Sequence, residues 1–369
     1  MSKGFLDQMI EQFQNGLPFV AYRKPDEVEV KVIFQKDKEL HYISDYTESG
    51  FVFTPFDGES PAVLIKKDKV IVEAFELEPR NSESTLIHKL DEDADKDFYL
   101  KLIDRAISKI DSGSIQKVVL SRNIEVETSK TPFVMFQDLL NQYPTAFCYI
   151  WFHPKIGLWL GATPEIFLET ENNKFRTMSL AGTQLYRAGE APIWKKKELE
   201  EQEMVTQFIH SSLKNQVSSI EISETMSTRA GNLWHIKTSI SGHMNNSGLQ
   251  EIIAALHPTP AVCGLPKNTA KEFILKNENY QRQFYTGFLG ELNFKEDMSR
   301  PSSRRNQENK AYRTIKNKTS LYVNLRCMQL LGNTVKIYVG GGITSRSVPE
   351  KEWQETKDKS STMLNIVLK

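Results

Sequence analysis

Short runs of β-branched and aromatic residues recur along this chain, and stretches of helical spacing fall between many of them. Strands are expected at Val28 to Phe34 and Val70 to Phe75. Others are KVVLSRNIEVE from Lys117, IGLWLGATPEIFLET from Ile156 and KFRTMSLAGT from Lys174. Three more are NLWHIKTSISG from Asn232, SLYVNLRCMQ from Ser320 and TVKIYVGGGI from Thr334. Tyr99, Leu102, Ile103, Ala106, Ile107 and Ile110 repeat at helical spacing and stop near Gly113, which suits a C-terminal cap. Further helices are expected from about Lys196 to Leu213, and through Leu249, Ile252, Ile253 and Leu256 as far as His257-Pro258. Another starts near Ser347, where Ser-Val-Pro-Glu offers an N-cap, a first-turn proline and a capping-box glutamate. Many strands with helices between them predict one large mixed α/β unit.

The chain has 369 residues, ample for a sizeable core. Lys plus Arg and Asp plus Glu each number 47, a balance that argues against bulk binding of nucleic acid or an anionic membrane. Cys148, Cys263 and Cys327 are scattered and odd in number, so they form neither a disulfide framework nor a CxxC metal pair. Free thiols suit a reducing compartment. The opening MSKGFLDQMIEQFQNGLPFV interrupts any signal-peptide core, and no run approaches the ~20 apolar residues of a membrane span. A soluble cytoplasmic protein is expected. Residues 298 to 319 are polar and basic; they read either as a lid or anion-collecting loop, or as a solvated insertion.

Four constellations could carry chemistry. Glu198 and Glu201 stand three apart at the head of a helical stripe continued by Val205 and Phe208, and Glu352 and Glu355 repeat that spacing with Lys359 one turn on. Four carboxylates from two helices could hold a hard cation such as Mg²⁺; on spacing alone they read rather as ordinary surface glutamates. Gly340, Gly341 and Gly342 end a strand shortly before a helix start, where bare backbone either meets an anion or merely permits close packing. His257 and Ala261 lie in HPTPAVCGLPK, whose prolines and glycine fix an irregular loop that shapes a site or only braces one. Lys117, on an otherwise apolar strand, either snorkels to solvent or is held in a pocket as a base.

Taken together, KVVLSR, GATPEIFLE, SLAGT, KELEEQEMV, HPTPAVCGLPK, RQFYTGFLGEL, LRCMQL, YVGGGI and SVPEKEWQETKDK resemble the chorismate-utilising family. They occur in that family's order over roughly residues 115 to 360, about two thirds of the chain. The resemblance implies a single catalytic domain over residues 1–369, of the anthranilate synthase large subunit-like fold, with a variable N-terminal part up to about residue 95. It further implies Lys117 as the base that activates water and Glu165 as the acid that protonates the departing 4-hydroxyl. Glu201 and Glu355 match Mg²⁺ ligands, and Glu198 and Glu352 match the acids that hold its waters. Gly182, Thr183 and His257 match the lining of the ring pocket. Tyr285, Arg326 and Gly340 to Gly342 match groups that grip substrate carboxylate, and Lys359 follows the second metal glutamate at the family's spacing.

Three departures stand out: Gln283 where related chains usually have glycine, Gln202 in place of a more usual histidine, and no proline or arginine after AGT. Amine-adding relatives carry glutamine where Lys117 stands. Ala261 resembles isochorismate synthases rather than the threonine-bearing lyases. The resemblance therefore implies an isochorismate synthase, a Mg²⁺-dependent isomerase acting on chorismate in menaquinone or siderophore biosynthesis. The alternatives are a salicylate synthase or a non-catalytic anion-binding relative. A monomer without a glutamine amidotransferase partner is expected.

Overall fold

The computed structural model describes residues 3–58, 60–77, 93–187, 189–230, 233–245, 248–297 and 315–368. In chain order they begin with α1 (Lys3–Gln14), β1 (Phe19–Arg23), β2 (Glu29–Phe34), β3 (His41–Tyr42), β4 (Gly50–Thr54), β5 (Val63–Lys66) and β6 (Lys69–Ala74). Next are α2 (Asp93–Asp111), β7 (Lys117–Glu127), α3 (Pro132–Gln142), β8 (Phe147–His153), β9 (Gly157–Thr163), β10 (Ile166–Glu171) and β11 (Lys174–Leu185). After α4 (Lys196–Leu213) come β12 (Val217–Ile222), β13 (Met226–Ala230), β14 (Leu233–Met244), α5 (Leu249–Leu256), β15 (Gly264–Leu265) and α6 (Lys267–Asn277). The last are β16 (Phe288–Asp297), β17 (Ile315–Val323), β18 (Cys327–Leu331), β19 (Thr334–Ile343) and α7 (Pro349–Leu368).

These strands form two sheets, and every pairing within them is antiparallel. The first runs β15-β7-β19-β18-β9-β8-β1-β2-β6; the second runs β12-β14-β11-β10-β17-β16-β4-β5-β3, with β13 also on β14. Their inner faces share an aromatic core in which Phe53 stacks on Phe284 at 4.3 Å and Trp159 on Tyr338 at 5.3 Å. The outer face of the first sheet is covered by α1, α3 and the far half of α7 through Phe5, Met9, Phe133, Phe136, Met363 and Leu364. That of the second is covered by α4 and α5 through Val205, Ile209, Leu213, Ile252 and Ile253. Strands buried on both faces explain the continuous apolar runs in β7, β8 and β9.

The mixed α/β unit expected from the sequence is observed, with local corrections. IGLWLGATPEIFLET is two strands, because the chain leaves the first sheet at Pro164-Glu165 and enters the second. SLYVNLRCMQ is likewise divided at Asn324 to Arg326, where it passes back; Arg326 turns there with φ of 47°. Of the basic stretch 298 to 319, residues 298–314 lie outside the described residues, and Ile315 to Thr319 pair within β17 rather than forming loop. Helix α3 is not among the helices expected from the sequence. Thr131 caps it by accepting from the Val134 amide at 3.4 Å, Pro132 fits its first turn, and Phe133, Phe136, Leu139 and Leu140 face the core.

One buried charge cluster fastens the sheets away from the candidate site. Glu291 on β16, 1% exposed, accepts from the Tyr22 hydroxyl and pairs with Lys24 at 2.6 Å and Lys31 at 2.5 Å. Burial alone would raise its carboxyl, but Lys24 and Lys31 hold it below the usual range. A depressed folded value adds stability above the unfolded carboxyl range, and that contribution is lost as pH falls through the folded value. Glu291→Gln removes the carboxylate that both ammonium groups contact, leaving them only the more distant field of Glu27. Urea denaturation at neutral pH should show a loss of about 3 kcal/mol, the low end because the lysines keep some solvent. The gap to wild type should shrink as the buffer is acidified.

Candidate active site

Lys117 opens β7 with its side chain fully buried. An ammonium removed from water needs an opposite charge, and Glu201 on α4 supplies it, with Nζ 2.7 Å from Oε1. The contact passes over Gly342 of β19. A Cβ there would stand 2.3 Å from Glu201 Oε1 and 3.1 Å from Lys117 Cε, so the strand must be bare at this point. One residue earlier, a Cβ on Gly341 would lie 3.8 Å from both Glu352 Oε2 and Glu355 Oε1. At Gly340 the nearest groups are the Leu120 carbonyl and the Tyr285 hydroxyl. Three successive glycines thus let carboxylates from two helices and a tyrosine approach one strand.

Each carboxylate is matched by a lysine or an amide. Lys359 pairs with Glu355 at 2.6 Å and donates to the Gly340 carbonyl at 3.1 Å. Lys197 on α4 bridges to Glu352 on α7. Glu198 accepts from the Lys195 amide at 2.9 Å at the start of α4. Burial works to raise Glu355, yet Lys359 holds it below the carboxylate range. Glu352, 2% exposed, is raised by burial and by Glu355, against the pull of Lys197. Its Oε2 is buried with no hydrogen-bond partner among the described residues.

Glu165 and Arg326 occupy the two sheet crossings. Glu165 is 4% exposed, and burial pushes its carboxyl up to about 8 although Lys117 and Lys359 pull it down. Such a group is largely protonated at neutral pH and can donate a proton. Arg326 donates to Thr362 Oγ1 at 2.7 Å and lies within electrostatic reach of Tyr285 and Glu355. Tyr285, 3% exposed, stacks on Tyr338 at 5.4 Å.

Gly182 and Thr183 fall in a bulge where β11 slips against β14. Gly182 has φ of 65°, and its carbonyl accepts from His235 Nδ1 at 2.8 Å. His235 was not singled out in the sequence. It is 6% exposed, and burial, with Arg326 and Lys359, lowers its imidazole to about 3, so it is neutral. With the proton on Nδ1, the unpartnered Nε2 is a hydrogen-bond acceptor. Lys197 was missed too, because KKKELEE reads as a solvated charge run until α7 is packed beside it.

Not every expected residue joins this group by contact. His257 sits edge-on to Phe167 and Phe288 and donates from Nε2 to the Pro55 carbonyl at 3.2 Å. Burial lowers its imidazole to about 4. Ala261 packs at the margin of the core beneath α5. A cleft of about 860 Å³ runs along the inner face of the second sheet. It meets the site at Pro164 and His235 and does not include Lys117 or the glutamates. The donors around Gly341 are all carboxylate oxygens, including the orphaned Glu352 Oε2, which is the chemistry a hard cation prefers. Among the described residues no three His, Cys, Asp or Glu side chains enclose a metal position, and the lysines now take the places of counter-ions.

A sandwich of antiparallel sheets with a lysine, a protonated glutamate and an arginine around a glycine-lined strand defines an enzyme able to handle a small anion. The family model for chorismate binding enzyme matches residues 57–300 and 312–365, and the chain belongs to that family. It is 30% identical over 281 residues to isochorismate synthase EntC of Escherichia coli (strain K12), a match covering 72% of this chain and 66% of that protein. To isochorismate synthase DhbC of Bacillus subtilis (strain 168) it is 26% identical over 345 residues, covering 85% and 79%. MenF, the menaquinone-specific isochorismate synthase from Escherichia coli, shares the fold, with a TM-score of 0.76 at 19% identity over 95% of this chain and 88% of that chain. No helix among the described residues is long and apolar enough to cross a membrane.

The glycine at 342 gives a direct test. In Gly342→Ala the atoms nearest the new methyl are the Glu201 carboxylate and Lys117 Cε, so the pairing should be displaced. Calorimetric titration with chorismate should show binding weakened about tenfold or more, and the melting temperature should fall because the buried Lys117 ammonium is parted from its carboxylate.

Proposed function

We propose that this protein is an isochorismate synthase, an isomerase that adds water to C2 of chorismate and expels the C4 hydroxyl. The observation that carries the reading is Glu165, a buried carboxyl raised to about 8 beside Lys117 and Lys359. It can protonate a poor leaving group at neutral pH. Lys117, in its neutral amine form, is the base that takes a proton from the attacking water. Arg326 and Lys359 receive the substrate's carboxylates, Arg326 with a planar pair of donors suited to that shape. Tyr285 and Gly340 to Gly342 form the wall against which the carboxylate lies, and Gly182, Thr183, His257 and Ala261 bound the ring. The neutral His235 offers its acceptor Nε2 to a hydroxyl rather than to a carboxylate.

Mg²⁺ belongs to this proposal. Glu201 and Glu355 would hold it, with Glu198 and Glu352 receiving its waters, and it would supply positive charge for a carboxylate of the substrate. The lysine contacts on Glu201, Glu352 and Glu355 mark where negative charge is already concentrated. Ala261 and the presence of Lys117 favour water addition that stops at isochorismate over further elimination of pyruvate.

Chorismate with Mg²⁺ and no ammonia should yield isochorismate in a reversible mixture. Lactate dehydrogenase coupling should detect no more than trace pyruvate; stoichiometric pyruvate with salicylate would reassign the chain to the salicylate synthases. Turnover should fall as pH rises through about 8, because Glu165 then loses the proton it must deliver. Glu165→Gln and Lys117→Ala should each lower kcat by about 100-fold or more. Retention of most activity in either variant would refute its assigned role.

A further inference from the structure

The stretch between β11 and α4 is fastened down at several points, and one of them has the form of a clasp. Gln184 accepts from the Ile193 amide at 3.2 Å through Oε1 and donates to the Ile193 carbonyl through Nε2. One side chain thereby makes both bonds that a neighbouring strand would make. The loop between them is only eight residues, so holding its ends together costs little chain entropy. Immediately after the clasp, Trp194 donates from Nε1 to Ser227 Oγ at 2.9 Å. Its ring lies over Gly182, where a Cβ would stand 3.0 Å from Cζ3. Tyr186, at the other end of the loop, lies under the Arg229 guanidinium at 3.6 Å.

Gly182 is the residue whose carbonyl fixes His235. With φ of 65° and no side chain, its peptide is held by what packs on it, namely Trp194 and Ile236. A Trp194 free to swing would leave that peptide free to turn, and the imidazole would lose the partner that sets its tautomer. We propose that Gln184 is a positioning residue: by clasping Ile193 it holds Trp194 as a fixed wall over Gly182 and so keeps His235 in its acceptor form beside the substrate. The assignment rests on chorismate being the substrate of this site.

The full-length protein tests it through Gln184→Met, which keeps length and loses both bonds, Gln184→Glu, which keeps the acceptor, and Trp194→Phe. In the substrate-free protein, hydrogen exchange at the Ile193 amide should speed up about tenfold or more in Gln184→Met and less in Gln184→Glu. KM for chorismate should rise about fivefold or more in Gln184→Met, by a larger factor than kcat falls, with partial rescue in Gln184→Glu. Because both side chains act on one peptide, combining Gln184→Met with Trp194→Phe should raise KM little beyond the worse single variant. Unchanged Ile193 exchange, or KM effects that multiply independently, would overturn the clasp. Wild-type turnover is recorded in parallel: an inactive wild type refutes the substrate assignment, whereas an active wild type with unchanged Gln184→Met kinetics refutes the inference.

Discussion

The buried ammonium of Lys117 is the constraint around which the rest is arranged. A lysine with no exposure on a strand of the first sheet must find a carboxylate, or its burial costs several kcal/mol. The partner comes from α4, the helix that covers the second sheet. The pair therefore ties one half of the sandwich to the other, and Gly342 must be bare to let it close. Lys197 to Glu352 adds a second tie, between α4 and α7. Lys359 to Glu355 then sets charge along α7 itself. What looks from the sequence like two lysine- and glutamate-rich surface helices is a set of ion pairs around one glycine strand.

Much of this was legible because the chain is locally consistent. β7 was readable to its end residues from β-branched content, and α4 and α5 from their apolar spacing. What was not legible depended on partners distant in sequence. Glu165 and Arg326 lie in what reads as continuous strand, and nothing local signals that the chain changes sheets there. His235 is one of several alternating residues on β14 until Gly182 is paired against it. α3 carries both a threonine cap and a first-turn proline, so its start is written in local chemistry.

The departures from the family's usual motifs have physical explanations here. Gln283 adopts φ of 50°, the left-handed region where glycine is free of strain, and its carbonyl still accepts from the Phe56 amide. Gln202 is 3% exposed, and its Nε2 donates to Ser179 Oγ at 2.7 Å and Thr238 Oγ1 at 3.0 Å. Its Oε1 is buried with no hydrogen-bond partner among the described residues. Neither change removes a group from the acid, base or carboxylate set.

The ties that build the site also decide when it can exist. Lys197 and Glu352 are 155 positions apart, and Tyr22 and Glu291, which lock the sheets, are 269 apart. Contacts of such separation close late, since the chain entropy of every intervening loop must first be spent. A folding chain can have β8 and β9 paired and α4 formed while Lys117, Glu165 and the glutamates are still remote from one another. The capacity to bind an anion is therefore a property of the finished topology, since its groups come from β7, α4, α7 and the two sheet crossings.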